Sequence, residues 1–429
     1  MDKRFANIFS LTEDEAIALL DTPPDQLEPG ESRYIAASHL INFPTERAIA
    51  ALVRAVEFED GSLDTRIVQR KAVESLGRLR ATSALGVIRK CLSNDDLYTV
   101  ENAVWAIGEI GTEDPEILEG IAQLLSQPNK PYRVIIQTLS KLDYGKSVER
   151  IRPFMTDEDE PTASAAIATV SRFSGDDELM AGVVEFLQHS SVNARRLSIQ
   201  DLVDAGYAPA IAPISQCPVS VVFRLRGIRL LATQAMAEGT LTFATLEPIL
   251  DATVRDSPTT LNLVHEYDQL PALEFAMQEL YQTDFGRCYL ATQTLAESFG
   301  EEVGPAAIAS FRNKGHNDYG AHYHLIKVLG WIRHAPAYEL FVEALHNPEP
   351  QFQKSRAAAA IALGELGDQR AIAELETVLD SPIWDLKYAT LLALKQLGAT
   401  DTLAKAAAGD DPLLQGKVAA IAPSQEAPV

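Results

Sequence analysis

A single spacing governs what this 429-residue chain can become. Helical segments that end in an apolar residue, usually followed by a small one, recur at Leu76-Gly77, Ile107-Gly108, Leu139-Ser140, Val170-Ser171 and Leu202-Val203. The steps between them are 31 or 32 residues. The pattern returns at Leu329-Gly330, Leu363-Gly364 and Leu394-Lys395, with steps of 34 and 31. Each copy is followed by another apolar-periodic segment, such as 84–92 or 371–379, and then by a turn of Asp, Asn, Ser or Pro. A unit of about 30 residues cannot bury its apolar face alone and must stack on its neighbours. The expected fold is all-α, an α-solenoid or superhelix of helical-hairpin repeats.

The same pattern sets the expected domain limits. Residues 1–30 form a lead-in with one short helix, capped by Thr12 with Glu15 three positions on and ended by Pro23 and Pro24. Residues 31–400 form one continuous solenoid, and 401–429 form a capping segment followed by a disordered tail. Pro209, Pro213, Pro218, Pro248, Pro258 and Pro271 blur the repeat. They mark 205–300 as the place for a change of curvature or a subdomain break.

Charge removes several classes of function. Lys and Arg total 37 against 60 Asp and Glu, a net charge of −23. Such a chain is repelled by nucleic-acid phosphates and by anionic membranes. No apolar stretch reaches the length of a membrane span or a signal peptide, so a cytoplasmic protein is expected. Cys91, Cys217 and Cys288 form no CxxC pair, which argues against a zinc site or a disulfide framework and for a reducing compartment.

Two stretches depart from the Ala, Leu and Glu background. Tyr98, Glu101, Asn102 and Trp105 lie at i, i+3, i+4 and i+7, on one helical face, while Val100, Ala103, Val104 and Ile107 supply the core. The bland alternative is a cap beside a partly buried Trp. Between His316 and His334 fall four of the eight histidines, with Asp318, Tyr319 and Tyr323. Leu325, Val328, Leu329 and Ile332 cluster on the core side. Tyr319, His322, Tyr323 and Ile326 cluster about a quarter turn away, with Asp318 at the seam, and His324 points elsewhere. An Asp in a first helical turn also suits the dipole, so Asp318 has a purely structural alternative. Asp318 and His322 have i, i+4 metal-ligand spacing but no third ligand nearby, so no metal site is assigned.

The repeats resemble HEAT-like repeats. Through the Tyr98–Trp105 stripe and the His316–His334 stretch, residues 30 to about 400 resemble the phycobilin lyases of the E/F class in cyanobacteria, in particular those acting on the phycoerythrin α-subunit. That resemblance implies that the second helix of each pair lines a concave surface. It implies an open-chain tetrapyrrole, phycoerythrobilin, as substrate with no permanently bound cofactor. It also implies thioether attachment of that bilin to a cysteine of a phycoerythrin α-subunit, with isomerisation to phycourobilin in some relatives. Asp318, Tyr319 and His322 are then the expected proton-handling residues. Tyr98, Glu101, Asn102, Trp105, Tyr132, Arg133 and Tyr323 are the expected bilin contacts. Neither nucleic acid nor membrane is expected as a partner. A non-enzymatic HEAT scaffold or chaperone for phycobiliprotein subunits or phycobilisome turnover stays open.

Overall fold

In the computed structural model, residues 11–403, 406 and 409–421 are described, and no strand occurs among them. The tail expected to be disordered, from about 423 onward, lies outside the described residues. The chain divides into two units, one ending at Leu179 and the other starting at Met180. That boundary falls upstream of the proline-rich 205–300 region. The prolines there have a local effect: after the helix 243–255, residues 261–272 run without helix.

In the first unit the second helices of successive pairs are α1 (Leu63–Arg78), α2 (Leu97–Ile110), α3 (Tyr132–Lys141) and α4 (Glu160–Ser174). Each packs on the next. Three of the four open on a side-chain cap: Ser62, Asp96 and Asp159 accept from the backbone N–H three residues on, satisfying a donor the helix leaves free. The lead-in helix Glu13–Asp21 has the expected box, with Thr12 and Glu15 capping each other's backbone. It is tied to the repeats by Arg33, whose Nε donates to the Leu20 carbonyl at 2.9 Å.

The small residue in the repeat signature has a packing cause. A Cβ on Gly77 would lie 2.8 Å from the Ala106 Cα and 2.9 Å from the Trp105 ring. Gly364 meets Ala393 in the same way, at 2.8 Å. Backbones in neighbouring repeats therefore approach to a distance only hydrogen allows.

The second unit contains α5 (Val192–Asp204), α6 (Val221–Ala237), α7 (Phe243–Arg255), α8 (Phe285–Ser298), α9 (Tyr319–Trp331), α10 (Gln353–Leu366), α11 (Trp384–Gln396) and α12 (Pro412–Ile421). Helices α8 to α11 stack in order. The unit then doubles back, with α7 packing against α10, α11 and α12, and α6 packing against α12. Polar groups seal this closure. Tyr388 donates to Asp251 at 2.7 Å, and the buried Lys417 ammonium donates to Glu247 and Asp251, each at 2.7 Å. Arg255 bridges Glu365 at 2.9 Å and Gln396 at 3.0 Å.

The glycine contrast can be measured. Gly77→Ala should destabilise the protein by roughly 1–3 kcal/mol through overpacking. Gly86→Ala, where an added Cβ meets nothing within 4 Å, should stabilise by about 0.5–1 kcal/mol through helix propensity. Urea denaturation of the two variants checks the pair, and equal effects would contradict the close-approach account.

Candidate functional site

The site in the second unit is built around a buried carboxylate. Asp256 follows α7 in a left-handed conformation (φ 50°), which Asp tolerates better than most residues. It is fully buried and ion-paired with the equally buried Arg224 of α6. Arg224 also donates to the Val219 carbonyl at 3.2 Å, the Ser215 carbonyl at 3.0 Å and the Tyr289 hydroxyl at 3.1 Å. The Tyr289 hydroxyl from α8 donates to Asp256 at 2.9 Å, and the Tyr323 hydroxyl from α9 donates to the same oxygen. Tyr323, expected to contact the bilin, is thus buried with its hydroxyl committed to Asp256. Its role in this geometry is to tie helices together.

Beside this cluster lies a buried ammonium without a hydrogen-bond partner. Lys354 of α10 is 4% exposed, and its Nζ meets no acceptor among the described residues. Aromatic faces surround it: Tyr319 at 3.5 Å from the ring centroid, Phe285 at 4.2 Å and Tyr323 at 5.2 Å. Burial pushes Lys354 down to about 7. Tyr319 is 51% exposed and forms the outer wall of this cage. Asp318 caps α9, its Oδ1 accepting from Gly320 N at 2.9 Å and Ala321 N at 2.8 Å, so the capping role is the one the geometry assigns it.

The two helical histidines of this stretch sit differently from the sequence expectation. His322 is buried, stacked on Phe352 at 4.2 Å and packed on Phe311 at 4.9 Å. Burial pushes it down to about 4, so the ring is neutral at pH 7 and is poorly suited to donate a proton. His324 does not face away from the cluster. It is wholly buried among Phe285, Tyr289 and Tyr323, with centroids 4.7–5.2 Å apart.

A cleft opens on the other side of α6. Val222, Arg226, Arg229, Leu230 and Thr233 form one stripe at i, i+4, i+7, i+8 and i+11, and Asp385 of α11 faces it across about 430 Å³. A second hollow of about 450 Å³ shares Arg226 and Leu230 and continues between α5 and α6 past Phe223, Leu197 and Arg196. Three guanidinium groups therefore line one continuous groove. Arg226 is exposed and has no carboxylate partner among the described residues. Arg229 lies over Trp384 at 4.3 Å, and Arg196 lies over Phe223 at 5.3 Å while donating to the Thr283 carbonyl at 3.2 Å. Burial pushes the Asp385 carboxyl up, against the pull of Arg229. Arg229 also pairs with Asp411 at 3.4 Å, which leaves Arg226 as the α6 guanidinium of the groove without a carboxylate among the described residues. Cations, aromatic faces and apolar walls of this kind suit a flat conjugated ligand with carboxylate tails. Nothing in the sequence singles these residues out: the helical spacing places them on one face of α6, but only the facing α5 and α11 make that face a groove.

The remaining expected bilin contacts lie in the first unit. Tyr98 is 62% exposed beneath the Arg70 guanidinium at 4.7 Å, and Arg70 is held by Asp96 through two hydrogen bonds of 2.7 and 2.6 Å. Asn102 donates to the Arg70 carbonyl at 3.1 Å, and Trp105 lies 5.9 Å from Arg78. Glu101 is half-buried on the same helix. One helix further on, Tyr132 donates to the Gln127 carbonyl at 2.7 Å and leans on Phe154, and Arg133 donates to the Pro161 carbonyl. The stripe exists as a face, with Arg70, Asn102, Tyr132 and Arg133 bonded within the protein. Among the described residues no group of three His, Cys, Asp or Glu is placed to hold a metal ion.

Two stability measurements test these assignments. Asp256→Ala leaves Arg224 buried and unpaired and should cost about 3–5 kcal/mol in denaturant unfolding. An effect under 1 kcal/mol would contradict the keystone role. For His322, the unfolded imidazole takes up a proton below pH 6.5 that the folded protein refuses until about pH 4. Wild-type stability should therefore fall relative to His322→Gln across that interval, by at most about 1.4 kcal/mol per pH unit, with no pH-dependent difference above it.

Comparison with known proteins fits this architecture. The HEAT-repeat family model matches residues 63–133 and 308–395. The "Uncharacterized phycocyanin operon protein Y" of Pseudanabaena tenuis is 56% identical over 417 residues, covering 97% of this chain and 99% of that protein. The "Bilin biosynthesis protein CpeY" of Synechococcus sp. strain WH8020 is 33% identical, covering 84% of this chain and 88% of that one. The "Phycocyanobilin lyase subunit alpha" of Synechococcus elongatus is 27% identical, covering 61% and 92%. The chain belongs to the HEAT-repeat phycobilin lyases of the E/F class.

Proposed function

We propose that this protein binds phycoerythrobilin in the α5–α6–α11 cleft and attaches it to a cysteine of a phycoerythrin α-subunit. The observation that carries the proposal is the groove in which Arg196, Arg226 and Arg229 accompany Phe223, Leu230 and Asp385. Propionate tails pair with the guanidinium forks, the conjugated rings lie along the apolar walls, and Asp385 accepts from pyrrole N–H groups. Relatives named for bilin synthesis and for a phycocyanobilin lyase support this chemical class.

The acceptor supplies the nucleophile. Its sulfur bonds to the ethylidene carbon of ring A as the double bond opens, and the neighbouring ring carbon takes a proton, so no oxidant is needed. This chain's own thiols are buried, and burial pushes Cys91 up to about 11 and Cys217 and Cys288 up to about 12. Such thiols are poor nucleophiles at neutral pH, in keeping with a lyase that holds the bilin without a covalent link. Tyr319, half-exposed at the mouth of α9, is the proposed proton donor, with Asp318 fixing the start of that helix. The lyase therefore contributes orientation and a placed proton.

Co-expression with bilin-synthesis enzymes and a phycoerythrin α-subunit, followed by zinc-enhanced fluorescence on a denaturing gel, tests the proposal. Covalent colour on the α-subunit is expected, and Tyr319→Phe should reduce it. A carboxylate–Arg contact contributes about 1.5–3 kcal/mol, so Arg226→Glu with Arg229→Glu should weaken non-covalent bilin binding about tenfold or more. Trp105→Ala should leave that binding within about twofold; a large loss would move the site to the α2 face. Absence of colour on every phycoerythrin subunit would favour the scaffold alternative. The absorption maximum of the product distinguishes simple attachment from attachment with conversion to phycourobilin.

A further inference from the structure

Lys354 is unusual among the buried cations of the second unit. Arg224 has Asp256, Lys417 has Glu247 and Asp251, and Lys327 donates to the Arg255 carbonyl. Lys354 has no acceptor among the described residues and is held only by aromatic faces, the nearest belonging to the half-exposed Tyr319. A buried ammonium gives up its hydration shell, and ring faces replace that less well than a carboxylate or carbonyl acceptor would. Structural packing alone would be served better by a Met or Leu at this position.

We infer that Lys354 is a positioning residue for bilin transfer: its ammonium, set against the Tyr319 ring, stabilises the phenolate that forms when Tyr319 gives up its proton. The inference rests on the bilin-lyase reading above. The step balances. The acceptor sulfur bonds to the ethylidene carbon, the π pair takes the phenolic proton at the neighbouring ring carbon, and the phenolate regains a proton from water at its exposed edge.

The surroundings make the charge of Lys354 change near neutrality. Burial is the largest influence and lowers its proton affinity, as does Arg196 of α5; Cys288, Asp256 and Asp318 act the other way. Asp256 is already engaged by Arg224, Tyr289 and Tyr323. Burial raises Cys288, Tyr289, Tyr319 and Tyr323, so these stay protonated around pH 7. His322 and His324 are kept neutral by burial, and Lys327 is pushed down to about 8. Lys354 is therefore charged below about pH 7 and neutral above it, and its assistance to Tyr319 fades as pH rises.

The experiment uses the full chain with phycoerythrobilin and the α-subunit acceptor. It compares wild type, Lys354→Met, Lys354→Arg and Tyr319→Phe, measuring non-covalent bilin binding and single-turnover transfer separately from pH 5.5 to 8.5. Wild type should exceed Lys354→Met by about tenfold or more at pH 6, and the ratio should shrink toward one above pH 8. Lys354→Arg, charged throughout, should keep its advantage over Lys354→Met at every pH. Lys354→Met added to Tyr319→Phe should have no further effect, and bilin binding should stay within about twofold in all variants. A pH-independent ratio of wild type to Lys354→Met, or a loss of transfer matched by lost binding, would overturn the role. Failure of the wild type to bind bilin would instead overturn the lyase reading.

Discussion

Arg224 and Asp256 meet where no water reaches either charge, and the second unit is arranged around keeping them together. Each is fully buried, and Asp256 receives two further hydroxyls, from Tyr289 and Tyr323. Four elements, α6, the end of α7, α8 and α9, thereby share one carboxylate. A buried ion pair is weak testimony to net stability, because desolvation offsets much of the attraction. Its strength lies in specificity: a helix that shifts by one residue strands a charge. Helical repeats otherwise stack through interchangeable Ala and Leu contacts, which define register poorly. The polar centre fixes the register that the apolar packing leaves loose.

That fixed register presents the opposite side of α6 as a groove. Arg224 points into the cluster, whereas Arg226 and Arg229, two and five residues on, fall on the stripe that faces α5 and α11. One helix therefore anchors the fold on one side and lines the groove with cations on the other. The closure of the unit by Tyr388, Lys417 and Arg255 serves the same end, since it brings Asp385 on α11 into the same groove. The Lys354–Tyr319 cage lies in the same unit, and Arg196, which lines the groove, acts electrostatically on both residues.

The architecture was legible because its cause is periodic. A backbone approach that leaves no room for a Cβ at Gly77 or Gly364 demands a small residue once per repeat, and the period follows. Caps were legible for a similar reason: Thr12 with Glu15, and Asp318, satisfy helix N–H groups as their positions in the sequence suggest. The site was legible only in part. Arg224, Arg226 and Arg229 stand within six residues of one another on α6, yet the first is buried in the polar cluster while the other two line the groove. Helical phase alone separates the three, and phase has no meaning until the facing elements are known. His322 and His324 show the same limit, since one faces Phe311 and Phe352 and the other an aromatic cluster. Lys354 gave no signal, because a lysine beside a polar serine at a helix start looks solvated.

Two surfaces compete for the chromophore, the arginine-lined groove of the second unit, proposed here as its seat, and the Tyr98–Trp105 face of the first. A structure of the full chain with phycoerythrobilin bound decides between them. Propionate oxygens are expected on Arg226 and Arg229, with the conjugated rings along Phe223 and Leu230. A bilin seated over Tyr98 and Trp105, with the groove empty, would contradict the proposed seat.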